Sequence, residues 1–256
     1  MVRTEIGYTT TDTIMVRGKN LATEIIGQFD FIDMIFFTTL ARMPTSREKI
    51  MVNALLVTTA DHGITPSSLA ARLTYIGAPE SLQGAVATGL LGAGSVFLGT
   101  MQNATEMLLQ GAADLTDEAS DEQVREVARA LIRQYRQERR SIFGVGHPIH
   151  VDGDPRVPTL RELSRANGYY GKHWRLMEAI SFVFIHEMGK KLPLNAVGAI
   201  GSIVAAMDLD PMVARGLALV GRSAGILAHC MEEKQAPMAR EAWELVLGAD
   251  SRNVLP

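Results

Sequence analysis

The residues best suited to chemistry gather in one short segment, Gly144-Val145-Gly146-His147-Pro148-Ile149-His150-Val151-Asp152-Gly153-Asp154-Pro155-Arg156. Its glycines and prolines interrupt regular structure, and irregular segments are where binding and catalytic side chains concentrate. An imidazole at His147 can act as acid, base or hydrogen-bond donor near neutral pH. The alternative is a loop histidine that bonds only its neighbours. His147 and His150 are also a pair of metal-ligand types, but no third ligand stands at a recognised spacing, so no metal site is expected. His62, in Ala60-Asp61-His62-Gly63, is either a substrate ligand or a cap on the carbonyls of a helix end. Arg222 stands in the otherwise apolar run GRSAGILAH, where a charge must be paired or face a cavity. Its planar guanidinium suits a carboxylate ligand as well as a structural ion pair.

The elements that must hold these residues read as helical almost throughout. DTIMVRGKNLATEII opens with a short hairpin around Gly18 and then turns helical. Phe29 to Thr39 is an apolar run expected to be one buried helix. Thr45 and Glu48 form a capping box before KIMVNALLVTTA, and Pro66 suits the first turn of PSSLAARLTYIG, which ends at Gly77. Residues 118–140 form a charged amphipathic helix with Val124, Val127, Ala128, Leu131 and Ile132 on one face. Residues 172–190, 194–207 and 210–230 give three more helices. No strand-like alternation persists beyond a few residues, and no internal repeat is present.

Composition narrows the function. A chain of 256 residues with 47% apolar and 21% charged side chains can bury a sizeable core as one large domain or a large and a small one. The net charge of -3, the lack of any Lys/Arg block beyond Arg139-Arg140 and the 6% aromatic content give no reason to expect nucleic acid. The only cysteine, Cys230, allows no internal disulfide, which suits a reducing cytoplasm. MVRTEIGYTT lacks the pattern of a secretory signal. Residues 81–105 carry no charge and are long enough to span a bilayer. Their Gly, Ala, Ser and Thr content, with Gln83, Gln102 and Asn103, points instead to a central buried helix, so no membrane association is expected. The Gly-rich pieces at 89–95 and 143–146 follow no parallel strand, which argues against a dinucleotide loop. No G-x-S-x-G elbow occurs. His229 and Cys230 are adjacent on a helix and point apart, so they form no catalytic pair.

Taken in order, ADHG (60–63), GVGHPIHVDGDPR (144–156), LNAVGAIG (194–201) and GRSAGILAHCMEEK (221–234), with Arg240 beyond, resemble the motifs of the citrate synthase superfamily. The pattern is similar to short citryl-CoA lyases and to the C-terminal module of ATP-citrate lyase, and it covers the chain from about Ile6 to Leu247. The resemblance implies an all-α fold with a large domain (1–110 and 221–256) and a small domain (111–220). It implies a homodimer or homotetramer, and a substrate pair of an acyl-CoA and a 2-oxo acid. Coenzyme A would belong to the substrate, with no tightly bound cofactor. By position, His147 resembles the histidine that handles the oxo-acid oxygen, His62 a second oxo-acid ligand, and Arg156 and Arg222 the carboxylate-binding arginines. Arg240 resembles an arginine donated by a partner subunit. Gly144, Val145 and Gly146 lie where the family holds coenzyme A.

Two departures bear on activity. Val197 stands where the family has its catalytic aspartate, and Leu98-Gly99 lies where it has another histidine. Valine cannot move a proton. The expected function is therefore carbon–carbon cleavage of a citryl-CoA-like 3-hydroxyacyl-CoA by an atypical site. The alternatives are another carbon–carbon or thioester cleavage in the same pocket, or a non-catalytic protein that binds a CoA ester or dicarboxylate.

Overall fold

The computed structural model describes residues 2–253 and divides into two compact units, one ending at Ala54 and the other beginning at Leu55. The first unit opens with three short antiparallel strands in the order β1 (Gly7–Thr9), β2 (Ile14–Val16), β3 (Lys19–Asn20). The hairpin expected around Gly18 is the β2–β3 turn, where Arg17 and Gly18 both have positive φ. Strands of two or three residues are too short to show a period of two, so the sheet is not legible in the sequence. A π-helical turn, Leu21–Ile25, follows under the side-chain cap of Asn20. α1 (Phe31–Leu40) starts at a reciprocal Asp30/Asp33 capping box and buries Phe36 and Phe37, while Phe31 is exposed. α2 (Ser46–Ala60) begins with the expected box: Thr45 N donates to Glu48 at 2.7 Å, and Glu48 N donates to Thr45 Oγ1 at 3.2 Å.

Among its described residues, the second unit holds helices, loops and one isolated bridge. α3 (Pro66–Gly77) carries Pro66 at its first turn under a Thr65 cap, as the sequence requires. The charge-free run becomes α4 (Leu82–Ala93), a π-helical turn (Gly94–Leu98) and α5 (Gly99–Gly111). By length and composition this run could cross a membrane. Its α5 half buries Met101, Ala104, Met107 and Leu108. Its α4 half buries only Ala85, Gly89 and Ala93, and leaves Leu91 and Val96 exposed, so the expected buried helix is buried in its second half.

α6 (Asp121–Gln137) turns Val124, Ala128, Leu131, Ile132 and Tyr135 inward, with Val127 half-buried. α7 (Arg156–Asn167) follows the Gly/Pro-rich segment, and α8 (Lys172–Phe182) runs into a π-helical turn, Val183–Glu187. α9 (Ala196–Ala206) is the centre of the core. Its Ala199, Ile200, Ile203 and Val204 are fully enclosed, and it packs on α5, α7, α8 and α10. α10 (Pro211–Gln235) packs along α3, α4 and α5, and α11 (Ala239–Ala249) closes against α3.

Candidate active site

In the second unit a cavity of about 250 Å³ brings together His62, His147, Arg156 and Arg222, which come from three separate stretches of the sequence. Opposite them stands an apolar wall of Ala93, Phe97, Leu98, Met101, Val197 and Ile200. Both departures noted in the sequence, Val197 and Leu98, therefore line the cavity.

Close backbone packing sets the first half of the site. α2 ends at Ala60, and Asp61-His62-Gly63 turns away through positive φ at Gly63. α10 presses on this end so tightly that a β-carbon at Gly225 would overlap the Ala60 carbonyl, and one at Gly221 would overlap Thr59 and Leu56. Arg222 thereby lies beside the turn that carries His62. The turn is held from behind by Asp61, which accepts from His229 Nε2 at 2.9 Å. Arg72 Nε donates to His229 Nδ1 at 3.0 Å, so the His229 proton sits on Nε2 and points at Asp61. Arg72 also donates to Glu233 at 2.9 Å and pairs with Glu232. Arg72 and Glu233 are buried, and removing one of them alone would leave an uncompensated charge at a cost of roughly 3–5 kcal/mol. Burial pushes the Asp61 carboxyl up, but the Gly63 N–H and His229 outweigh it and hold it below its usual range.

The second half of the site rests on the segment before α7. Gly144 has φ +91 and lies so close to Gly198 that a β-carbon on either would collide with the other's backbone. Gly146 N donates to Pro193 O at 2.7 Å, and Asn195 N donates to Gly144 O at 3.0 Å. Val145 bridges Leu194. Gly144, Val145 and Gly146 are thus fastened to the approach of α9 and flank the cavity without lining it. Asp154 is buried and accepts four hydrogen bonds, from Arg156 Nε (2.9 Å), Arg156 Nη2 (2.7 Å), the Arg156 N–H (3.1 Å) and the Ala196 N–H (2.9 Å). Burial raises its pKa, but Arg156 and the Ala196 N–H prevail and hold it at about 2. A permanent carboxylate therefore aims Arg156 and ties it to the first turn of α9.

The histidines meet between these halves. His147 Nδ1 accepts from the N–H groups of Ile149 and His150, both at 3.1 Å. Its one proton therefore sits on Nε2, which makes the neutral ring a hydrogen-bond donor. Burial, then His150 and His62, keep its pKa below the usual value. In this tautomer His147 can offer its Nε2 proton, as a hydrogen bond or as an acid, but has no free lone pair on Nε2. His62 Nε2 lies 3.3 Å from His150 Nε2, and His150 stacks on His147 with centroids 4.5 Å apart. Burial first, then Arg156, His150 and Arg222, lower the His62 pKa, with Asp154 opposing. The sequence offered no third partner for His147 and His150. The fold corrects that with His62, and nitrogens of all three rings come within 4.8 Å of one another.

Arg222 is only 8% exposed, and its Nη1 is buried without a hydrogen-bond partner. Burial pulls its pKa below the ordinary value. Arg240 lies apart on α11, with its side chain 77% exposed and bonded to Glu244 at 3.0 Å. Sequence reasoning put His150 and Asp154 in the functional segment but gave neither a role in binding or catalysis, and it did not foresee the Arg72–His229–Asp61 chain. The signals were present: Asp154 opens DPR, and His229 closes GRSAGILAH.

Residues 20–241 match the model of the family described as citrate synthase, C-terminal domain. The citryl-CoA lyase of Hydrogenobacter thermophilus has a similar structure, with TM-score 0.78 and 31% identity, covering 92% of this chain and 88% of that one. An ATP citrate lyase of Methanosaeta concilii in complex with (3S)-citryl-CoA gives TM-score 0.74 at 20% identity, covering 91% of this chain and 39% of that one. Citrate synthase 2 of Bacillus subtilis is 25% identical over 210 residues, 80% of this chain and 52% of its own length. The chain spans about half the length of such citrate synthase relatives.

Proposed function

Since this chain belongs to the citrate synthase family, we propose that it cleaves a carbon–carbon bond in a citryl-CoA-like 3-hydroxyacyl-CoA, releasing a 2-oxo acid and an acyl-CoA. The observation that carries the reading is Arg222. A buried guanidinium with a free Nη1, beside His62, His147 and Arg156 in one cavity, requires an anionic partner, and a carboxylate matches its planar fork. Arg156 and Arg222 bind the carboxylates, and the Nε2 proton of His147 holds the oxygen that becomes the oxo-acid carbonyl. Cleavage moves the electrons of the broken bond onto the carbon beside the thioester. In this site that carbon meets Val197 and Leu98 in place of a carboxylate and an imidazole. The apolar wall favours an acyl group bulkier or better able to carry the charge than acetyl.

Coenzyme A is part of the substrate in this reading, held near Gly144, Val145 and Gly146, and no tightly bound cofactor takes part. The protein acts in the cytoplasm as a homodimer or homotetramer, with Arg240 reaching a second copy's cavity. The exposed Leu91 on α4 and Val96 on the π-helical turn after it support an interface between copies. Light scattering at micromolar concentration should give at least a dimer mass.

The deciding experiment incubates the pure protein with a panel of 3-hydroxyacyl-CoA thioesters and reads product masses. Release of an acyl-CoA and a 2-oxo acid from at least one member is expected. A second reading, a CoA-ester or dicarboxylate-binding protein without turnover, is favoured by Val197 and Leu98. Tight binding with no product from any member would establish it and end the lyase reading.

A further inference from the structure

The cavity has a pocket for the oxo acid and a donor for its oxygen, yet no carboxylate reaches the reacting carbon. One contact in the cluster is left without a role. The Nε2 atoms of His62 and His150 are 3.3 Å apart, and neither has another hydrogen-bond partner among the described residues. Two lone pairs would repel at that distance, so one nitrogen carries a proton and donates it to the other. His62 lines the cavity, whereas His150 stands behind it, stacked on His147.

We propose that His62 and His150 form a proton relay that supplies the acid–base function absent at Val197, with His62 touching the substrate and His150 acting through it. The relay rests on the lyase reading. In the resting state His62 donates its Nε2 proton to Nε2 of His150, which leaves Nδ1 of His62 with a free lone pair. The substrate hydroxyl gives its proton to that Nδ1 while the Nε2 proton of His62 passes to His150. The O–H electrons form the carbonyl, the neighbouring carbon–carbon bond breaks, and its electrons become the thioester enolate. His62 is then neutral and His150 is an imidazolium. The return step moves the proton from His150 back to Nε2 of His62, and from Nδ1 of His62 to the enolate carbon. One proton has moved from oxygen to carbon, and no other acid, base or oxidant is consumed. The hydroxyl oxygen and the carbon to be protonated are both attached to the carbon that becomes the carbonyl, so a single nitrogen serves both ends.

The charged surroundings suit such a relay. Arg156, Arg222 and the neutral ring of His147 face His62 from three elements, with Asp154 behind Arg156 and Asp61 next in the chain. The positive side dominates, so His62 rests neutral and ready to accept. A metal ion on the three imidazoles is the competing use of the same cluster. It requires the Nε2 lone pair of His147 while Nδ1 goes on accepting two backbone N–H groups. A ring bonded that way carries no proton and is an anion, whereas metal-bound histidines normally donate their second nitrogen's proton.

The test compares His150→Gln and His150→Ala with wild type on the best substrate of the panel, with thermal melts to show that each variant folds. Imidazole nitrogen NMR of the wild type gives a readout that needs no variant. The relay predicts a fall in kcat of roughly ten- to a hundredfold with KM changed less than about threefold. It also predicts a displaced low-pH limb of kcat, partial rescue of His150→Ala by free imidazole, and NMR signals for an Nε2–H ring at His62 and an Nδ1–H ring at His150. An unchanged kcat and pH profile overturns it. So does a loss of rate with neither displacement nor rescue, which marks a structural role. Zinc bound at one per chain, whose removal abolishes turnover, overturns it in favour of the metal. If folded wild-type protein turns over nothing on the panel, the lyase reading fails and the relay with it. If wild type is active and the variants match it, the relay alone fails.

Discussion

Asp154→Asn separates the charge of one carboxylate from its shape. Asparagine keeps an oxygen for the Ala196 N–H but removes the negative charge that binds Arg156 at 2.7 and 2.9 Å. The native carboxyl titrates at about 2, against 3.8 in an unfolded chain. At about 1.4 kcal/mol per pH unit, the charge contributes about 2.5 kcal/mol at neutral pH. The folded pKa is the lower one, so the unfolded chain takes up its proton first as the pH falls. The contribution is complete above 3.8 and is lost as the pH drops towards 2. Urea denaturation of wild type and Asp154→Asn, read by helical circular dichroism, should give a gap of about 2.5 kcal/mol at pH 6 that shrinks to about half by pH 3. At neutral pH the melting temperature should fall by roughly 5–10 °C. A gap that stays constant from pH 6 to pH 3, or one below about 0.5 kcal/mol throughout, would refute the charge argument.

Three further outcomes follow from the site. Val197→Asp restores a carboxylate to the apolar wall. It should gain citryl-CoA cleavage and lose the native substrate, and product masses that show neither change would remove the wall from any role in selectivity. Arg222→Met should raise KM for the carboxylate-bearing substrate by roughly ten- to a hundredfold. Because it deletes a buried charge with no partner in the free protein, it should also raise stability by about 1 kcal/mol, and a destabilised variant would show that Arg222 is a structural pair. The His62 pKa is depressed from 6.5, so the low-pH limb of the cleavage rate should have its midpoint below 6.5, and a midpoint at or above that value would contradict the neutral resting ring.

The helices and the polar residues that line the cavity are legible in the sequence for local reasons. Thr45 with Glu48, and Pro66 after Thr65, announce helix starts because each satisfies or removes an orphan N–H. Arg222 stands out because a charge amid apolar helix positions needs a partner. The rest depends on contacts between distant segments. His62 meets His150 because the end of α2, pressed by α10 at Gly221 and Gly225, converges with the segment packed on Gly198 through Gly144, and no local pattern encodes that meeting. Arg72, within PSSLAARLTYIG, looks like an ordinary surface charge until Glu233 and His229 are found beside it. The three-stranded sheet escapes because its strands are shorter than any periodicity they could display.

The two walls of the cavity differ in how freely they can change. On the polar side, backbone lies against backbone at Gly225 and Ala60, so even one added carbon forces the segments apart. On the opposite side, Leu98, Met101 and Val197 line the cavity, and none of them is a glycine held against another backbone. An engineer seeking a new acyl group should therefore randomise those three positions and leave the glycines fixed. The same asymmetry lets point changes on the apolar wall reshape the cavity, whereas a change at the glycines would shift His62 and Arg222 themselves.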